Sequence, residues 1–411
     1  MNILVLNSGS SSQKAAVYRV SDGPGDNPQE PAWQGKIEWD GRRAEIEMYG
    51  EGSAPIADRA EFASRKEATA RLLESIWSGA AAVMRDPSDI SIAGHRVVNG
   101  GSQFRKPALI TPAVKAAIEQ MAVFAPLHNR AELEGIEMVQ QKCGALPQVA
   151  VFDTAFHAQI PDAAAVYPGP YEWLEQGIRR YGFHGINHQY CAQRASQMLG
   201  KRLESLRLVT CHLGNGCSLA AICDGHSIDT TMGFTPLEGL MMGTRSGSVD
   251  PGILTYLLRQ ANLSGEQIDD MLNKKSGLLG ISGLSGDMRE VVGAMNQGNA
   301  RARLAFEIFV HRLRSAIGAM AAVLGGMDAL VFSAGIGENS PEVRASACDD
   351  MSFLGVRLDE QKNAKPVLDA DISGTESRVR VLVIHAQEDW AIARECWRLA
   401  VGGAKGQSAA Q

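Results

Sequence analysis

The chain has 411 residues, with Lys plus Arg at 40 and Asp plus Glu at 46, a formal charge of −6, 45% apolar residues and 21% charged ones. That length gives two or three folded domains of roughly 100–200 residues, each able to bury a core without disulfide or metal staples, and it excludes a disordered tail protein. The acidic balance and the lack of a basic run argue against nucleic acid as the main partner, because phosphate-backbone binding needs clustered Lys and Arg.

Asn2–Leu6 reads as a short buried strand, Ser8–Ser12 as a small-residue turn and Gln13–Val20 as a second strand, together a hairpin. Ser21–Pro31 is a turn-rich surface loop. Lys66–Arg85 has helical periodicity, with Leu72, Leu73, Ile76, Trp77, Ala80 and Val83 on one face. Thr111 before Pro112 is an N-cap followed by proline at the first helical position, and Val149–Phe152 is a strand ending at Asp153. A helix is expected near His188–Leu199. Then Leu208–His212, Leu213–Ser218 and Leu219–Asp224 repeat the order strand, Gly-rich turn, strand. Further helices fall near Gly252–Ala261, Asp287–Asn296 and Asn299–Leu324. Ala329–Ser333 is a strand, Ala334–Asn339 a Gly-rich turn, and Ser340–Pro341 another cap pair opening a helix. Val379–Ile384 is the last strand, and Glu388–Ala400 is an amphipathic helix before a Gly/Ala/Gln tail that reads as disordered.

The two hairpins echo one another. Aligning Gly9 with Gly214 (214 − 9 = 205) places Ala15, Ala16 and Val17 on Ala220, Ala221 and Ile222, an offset of half the chain. This reads as a duplicated α/β domain, although two unrelated hairpins would give the same local match.

The seven cysteines are Cys143, Cys191, Cys211, Cys217, Cys223, Cys348 and Cys396, an odd number with no C-x-x-C pair. Neither a disulfide framework nor a zinc site is indicated, and a reducing cytosol fits best. Met1–Asn7 is too short an apolar stretch for a signal peptide, and no segment offers the ~20 apolar residues of a membrane span. The expected location is therefore the cytoplasm, away from any membrane.

The chain carries 43 glycines, and they cluster where strands end. Asn7–Ser12, Gly214–Ser218 and Gly335–Asn339 are three such turns; small residues expose backbone N–H groups, so several turns facing one site would hold a polyphosphate. Neither a Walker motif nor a dinucleotide fingerprint is present. Four cations lie among glycines and apolar residues: Arg96 in GHRVVNGG, His128 in APLHN, His184 in YGFHGINH and Arg245 in MMGTRSG. A planar guanidinium in such a setting suits carboxylate or phosphoryl oxygens. Asp153 and Glu388 are plausible partners of Mg²⁺, which takes few carboxylates and keeps waters or phosphate oxygens. Each feature alone also has an ordinary role, as a structural turn, a buried ion pair, a packed loop histidine or a cap.

Taken in order, VLNSGSSSQK (5–14), GHRVV (94–98), APLHN (125–129), VFDTAFH (151–157), YGFHG (181–185), HLGNGCS (212–218), DTTMGFTPLEGLMMGTRSG (229–247) and AGIGENS (334–340) resemble the acetate kinase family of the acetate and sugar kinase/actin superfamily. The likeness runs over essentially the whole chain. It implies an α/β protein of two duplicated ribonuclease-H-like (actin-like ATPase) domains flanking a cleft, a homodimer, and reversible in-line transfer of the ATP γ-phosphoryl to acetate, giving acetyl phosphate and ADP with Mg²⁺ or, in its place, Mn²⁺. The first domain would comprise 1–150 completed by the C-terminal helix at 387–411, and the nucleotide-binding and dimerisation domain 151–386. The family pattern maps onto Asn7, Arg96, His128, Asp153, His184, Arg245 and Glu388 as the catalytic set, with Asn7 and Glu388 toward the metal. It maps nucleotide binding onto Lys14, His212, Leu213, Gly214, Asn215, Gly216, Gly335, Ile336, Gly337, Glu338 and Asn339, and substrate binding onto Arg96 with an acyl pocket of Val98, Leu127, Phe183 and Pro236. Asn99 replaces a usual histidine, Ile186-Asn187 the usual Thr-Ser, Ser248 a common aspartate, and His385-Ala386-Gln387 the usual residues before Glu388.

These residue types suit the implied reaction. A carboxylate acceptor with a pKa of roughly 4–5 is already ionised at neutral pH and needs no general base; the obstacle is repulsion between two anions. Positive charge and positioning are then the main catalytic terms. Arg96 is expected on the substrate carboxylate, Arg245 and His184 on the transferring phosphoryl, and Asn7 on a phosphate oxygen. Asp153 and Glu388 would position Mg²⁺, and His128 would support the site. Alternatives are a propionate or other short-chain acyl kinase, a sugar kinase, which would need a carboxylate base, and a non-catalytic nucleotide switch, which would not need the three convergent cations.

Overall fold

The computed structural model describes all residues except 10, 11, 22, 26, 41, 42, 63, 122–125, 368 and 409–411, and for 40, 126–130 and 403–408 the backbone alone. The chain forms two compact units, Met1–Ala155 with Gln387–Gln411, and Phe156–Ala386.

The first unit is built on strands β1 (Asn2–Ser8), β2 (Ser12–Arg19), β3 (Trp33–Asp40), β4 (Arg43–Gly50), β5 (Ile56–Glu61), β6 (Ile92–Val97), β7 (Ala108–Leu109) and β8 (Gln148–Phe152). Their order in the sheet is β5-β4-β3-β2-β1-β6-β8-β7. β1 to β5 form an antiparallel meander, while β6 and β8 join parallel to β1. Because β8 pairs with β6, with Val151 opposite Arg96, residues 151–155 belong to this unit, and the boundary read from sequence at 150 moves to Ala155. The helix expected over 66–85 is shorter, Arg65–Glu74. Past Ser75 the chain folds back, and the Val83 N–H donates to the Ile76 carbonyl at 2.9 Å, so Ile76 is buried by a turn rather than by a helix. The C-terminal helix, Glu388–Ser408, packs on the same sheet and continues through residues that read as a disordered tail. A β-carbon at Gly94 of β6 would stand 2.5 Å from Cys396 Sγ, so only glycine lets the helix approach this closely.

The second unit is built on strands β9 (Leu208–Leu213), β10 (Cys217–Cys223), β11 (His226–Thr230), β12 (Ala329–Ser333), β13 (Ala370–Asp371) and β14 (Arg380–Val383), in the order β11-β10-β9-β12-β14-β13. Again an antiparallel trio is followed by two parallel strands. The strand succession β3-β2-β1-β6-β8 thus recurs as β11-β10-β9-β12-β14, which supports duplication on topology rather than on one short match. The register corrects the alignment by one residue: Leu6 faces Ala15, whereas Cys211 faces Leu219. The second hairpin turn is one residue tighter, so Ala15 corresponds to Leu219 and not to Ala220. Ala334–Asn339, read as a Gly-rich turn, is a short helix. Ala334 enters it at φ +65°, a strained value for a residue with a β-carbon, while the Glu338 carboxylate accepts its N–H at 2.8 Å. Among the described residues no helix is long and apolar enough to cross a membrane.

Candidate functional site

In open sheets of this kind ligands gather at the carboxyl ends of the parallel strands, where the chain turns out of the sheet. Asn7 ends β1, Arg96 lies at the end of β6 and Asp153 follows β8, three neighbouring strand ends of the first unit. Arg96 donates from Nε and Nη2 to Asp153 Oδ2, at 3.1 and 2.6 Å. The Asp153 side chain is 0% exposed and that of Arg96 13%, and Arg96 Nη1 takes no part in the pair. Burial lowers the Arg96 pKa, but the neighbouring Asp153 and Glu388 carboxylates outweigh it and hold the group firmly charged. Asn7 Nδ2 donates to Glu388 Oε2 and to Asp389 Oδ1, both at 3.2 Å, so the start of the C-terminal helix brings two acids to the end of β1. Among the described residues no three or more His, Cys, Asp or Glu form a metal-binding group. The Asn7, Glu388 and Asp389 donor set has the chemistry of an ion that takes one or two carboxylates and fills its shell with phosphate and water oxygens.

Glu132 and Asp389 escaped the sequence reading. Glu132 lies on the helix Pro126–Cys143, where a polar residue reads as surface, yet it is buried and accepts the Val98 N–H at 3.0 Å. Burial pushes its carboxyl up to about 8, against the lowering pull of Arg96 and of that hydrogen bond. Asp389 is raised by burial, with Lys14 and Asn7 pulling the other way. Lys14 sits opposite Asn7 on β2, exposed. Val98 is buried beside Arg96, and Asn99, in the place of a usual histidine, accepts the Gly101 N–H at 2.8 Å. The side chains of Leu127 and His128 lie outside the described residues.

The second unit presents a cationic group around the β9–β10 turn. His184 adopts left-handed backbone angles (φ 57°) at the start of the helix Gly185–Leu199, which turns its ring out of the helix line. Its ring stacks on His212 with centroids 4.0 Å apart. Arg245 Nη1 donates to the Pro236 carbonyl at 3.1 Å. A β-carbon on Gly216 would lie 3.3 Å from His184 Nε2 and 3.6 Å from Arg245 Nη1, so histidine and arginine converge over this one glycine. Phe183 is buried, its carbonyl accepting from His157 Nε2 at 3.1 Å. Ser248 Oγ accepts the Gly239 N–H at 3.0 Å, which integrates this departure from the family pattern into its loop.

A cavity of about 990 Å³ opens beside the same turn, lined by Gly214, Asn215, Gly335, Ile336 and Asn339 among the residues the sequence marks for nucleotide, and by Asp287, Met288 and Arg289, which it does not. Lys14, His212, Leu213, Gly216, Gly337 and Glu338 are not part of its lining. Leu213 is core, and a β-carbon on Gly337 would meet Phe332 and Leu213. The Glu338 carboxylate is engaged by the N–H groups of Ala334 and Ala386 and by His385 Nδ1, at 2.8, 2.9 and 2.6 Å, and these contacts hold it below the ordinary range against the effect of burial. Asn187, replacing a usual serine, donates from Nδ2 to His212 Nδ1 at 2.9 Å.

The model of the acetokinase family matches residues 2–394. The acetate kinase of Gloeobacter violaceus is 58% identical over 405 residues, covering 97% of this chain and 99% of that protein, and the acetate kinase of a Cyanothece species is 56% identical over 401 residues, covering 97% and 98%. The crystal structure of Porphyromonas gingivalis acetate kinase superposes with a TM-score of 0.89 at 38% identity, covering 97% of this chain and 99% of that one. A propionate kinase from Francisella tularensis superposes with a TM-score of 0.88 at 39% identity, with the same coverage.

Proposed function

The chain belongs to the acetokinase family, and from that premise we propose how its two units divide one reaction. It is a kinase that transfers phosphate to the carboxylate of acetate, with ATP and ADP as co-substrates. In our reading the first unit handles the acid and the second the nucleotide. Arg96 takes the acetate carboxylate on the Nη1 side of its guanidinium, which has no part in the pair with Asp153, and Asp153 fixes the plane of the fork. His184 and Arg245 donate to the equatorial oxygens of the transferring phosphoryl, where charge accumulates during in-line displacement. Their convergence over Gly216 is the observation that carries this assignment. Gly214, Asn215, Gly335, Ile336 and Asn339 cradle the nucleotide, while Asn7 and Glu388 would hold Mg²⁺, which supplies neutralisation of phosphate charge when bound.

No general base is required, because the acceptor arrives ionised. Val98, buried beside Arg96, narrows the space for the acyl methyl, and acetate is favoured over propionate by about 1–3 kcal/mol at most. The helix Pro251–Gln260 buries none of its residues and exposes Ile253 and Tyr256 on one side and Leu258 on another, apolar surface that favours a homodimer as the working form. All seven cysteines are free thiols, in keeping with a reducing cytoplasm. Hydroxylamine trapping of acyl phosphate with ATP, Mg²⁺ and a panel of acetate, propionate, butyrate, glycerol and glucose tests the reading. Acetyl hydroxamate is expected to dominate; ADP release with glycerol or glucose exceeding that with acetate would reject it.

A further inference from the structure

Behind His184 runs a buried chain of hydrogen bonds. Thr210 Oγ1 is 2.7 Å from His188 Nδ1, His188 Nε2 is 2.8 Å from Ser218 Oγ, and Ser218 Oγ is 2.9 Å from His184 Nδ1. Thr210, His188 and Ser218 are buried almost completely, at 1%, 0% and 0% exposure. Such a chain has two polarities. If His184 Nδ1–H donated to Ser218, Ser218 to His188 Nε2 and His188 Nδ1–H to Thr210, the buried Thr210 hydroxyl proton would have no acceptor among the described residues. Run the other way, Thr210 O–H donates to His188 Nδ1, His188 Nε2–H to Ser218, and Ser218 O–H to His184 Nδ1. Every donor in the chain is then used, and a buried donor left unmade is far worse than a spare hydroxyl lone pair.

We infer that Thr210, His188 and Ser218 are positioning residues that lock His184 into the tautomer with its proton on Nε2, the nitrogen facing Gly216 beside Arg245. The neighbouring ring supports this independently. The Asn187 amide can only donate from Nδ2, so His212 Nδ1 is an acceptor and its proton too resides on Nε2. His188 must be neutral to accept at one nitrogen and donate at the other. Burial, followed by the nearby His157 and His212, keeps its pKa well below that of an ordinary histidine.

The chemical consequence rests on the reading of His184 as a phosphoryl donor. With the proton on Nε2, the ring meets the phosphoryl oxygens with an N–H; the other tautomer would turn a lone pair toward the anion. Fixing the tautomer in the resting protein removes that reorganisation from the transfer step.

Two-bond ¹H–¹⁵N correlation spectra of the full-length protein labelled at histidine read the tautomer directly. The unsubstituted protein should show His184 as the Nε2–H form alone, and Ser218→Ala a mixture of both. The same substitution should lower kcat by roughly tenfold or more while the KM for ATP stays within about threefold. Thr210→Val, which removes the hydroxyl at the far end of the chain from His184, should shift the tautomer ratio in the same direction with a smaller loss, about threefold, which keeps the test available if Ser218→Ala folds poorly. An Nδ1–H form in the unsubstituted protein, or a single unchanged tautomer in both variants, overturns the inference. His184→Gln separates the two ideas: full turnover in that variant would remove the donor role of His184 and leave the tautomer result standing.

Discussion

Replacing Arg96 by methionine strips a buried carboxylate of its guanidinium, and the size of the effect follows from the burial of the pair. Asp153 is 0% exposed and Arg96 13%, so neither charge is solvated by bulk water. Removing one member of such a pair costs about 3–5 kcal/mol, because the remaining charge stays behind without its counterion. The first unit holds 155 + 25 = 180 residues, and for domains of that size each kcal/mol lowers Tm by roughly 2–4 °C, giving a fall of about 6–20 °C. Calorimetry on Arg96→Met reads this directly. The double substitution Arg96→Met with Asp153→Leu should regain most of the lost Tm, since an apolar pair fills the same volume without charge. It should not regain activity. Loss of the charge-assisted bond to acetate, about 1.5–3 kcal/mol, lowers kcat/KM for acetate by roughly 10–150-fold in either variant. A single variant melting within about 3 °C of the parent, or a double variant melting below the single one, would refute the reasoning.

Three further outcomes are expected. Arg245→Ala should cut hydroxamate formation by about 10³–10⁵, as for other arginines on a transferring phosphoryl, and a loss under about tenfold would remove it from that role. In Gly243→Ala the new β-carbon would stand 2.2 Å from Asn215 Oδ1 and 3.0 Å from the Gly286 carbonyl, displacing the cavity wall; the KM for ATP should rise roughly tenfold with the KM for acetate unchanged, and equal shifts in both would count against a nucleotide role for Asn215. Glu132 is held protonated in the fold, its carboxyl pushed from 4.5 up to about 8. Between those values the folded protein keeps a proton that the unfolded chain releases, so stability is greatest below the lower value and falls as pH rises toward about 8. Glu132→Gln should flatten that fall in melting curves taken across the window, and parallel curves for the two proteins would discount it.

The strand ends were legible where an apolar run gives way to a polar residue: Asn7 follows Ile3–Leu6, Asp153 follows Val149–Phe152, His212 stands just before Gly214, and β12 runs from Ala329 to Ser333 as read. The meander β3 to β5 was not, although β4 alternates exposed and buried residues along RAEIEMYG, because short charged strands on a solvated sheet resemble a loop. Ala334–Asn339 misled in the other direction, since its glycines mask a helix whose entry depends on a carboxylate four residues ahead. Glu132, His188 and Ser218 carry no local signal at all. Their partners Val98, Thr210 and His184 are 34, 22 and 34 residues away, and a contact made only by folding has no periodicity to betray it. The one-residue slip in the repeat has the same origin, because hairpin turns of different length preserve the pairing of strands while shifting their alignment.

The bonds from Asn7 to Glu388 and Asp389 join groups 381 and 382 residues apart, so the first strand made is finished by nearly the last helix. During synthesis the contiguous stretch from Phe156 to Ala386 has all of its own strands before that helix leaves the ribosome. Domains fold as units when their sequence is available, whereas closure over so long a loop is slow. The nascent molecule therefore passes through a stage in which the second unit has its whole sequence while the first waits, its β6 face bared where Ile392 and Cys396 will lie. The arrival of Trp390 in its fully buried place beside Tyr18 then closes the core of the first unit, so the last stretch of chain to be made completes the first sheet to be started.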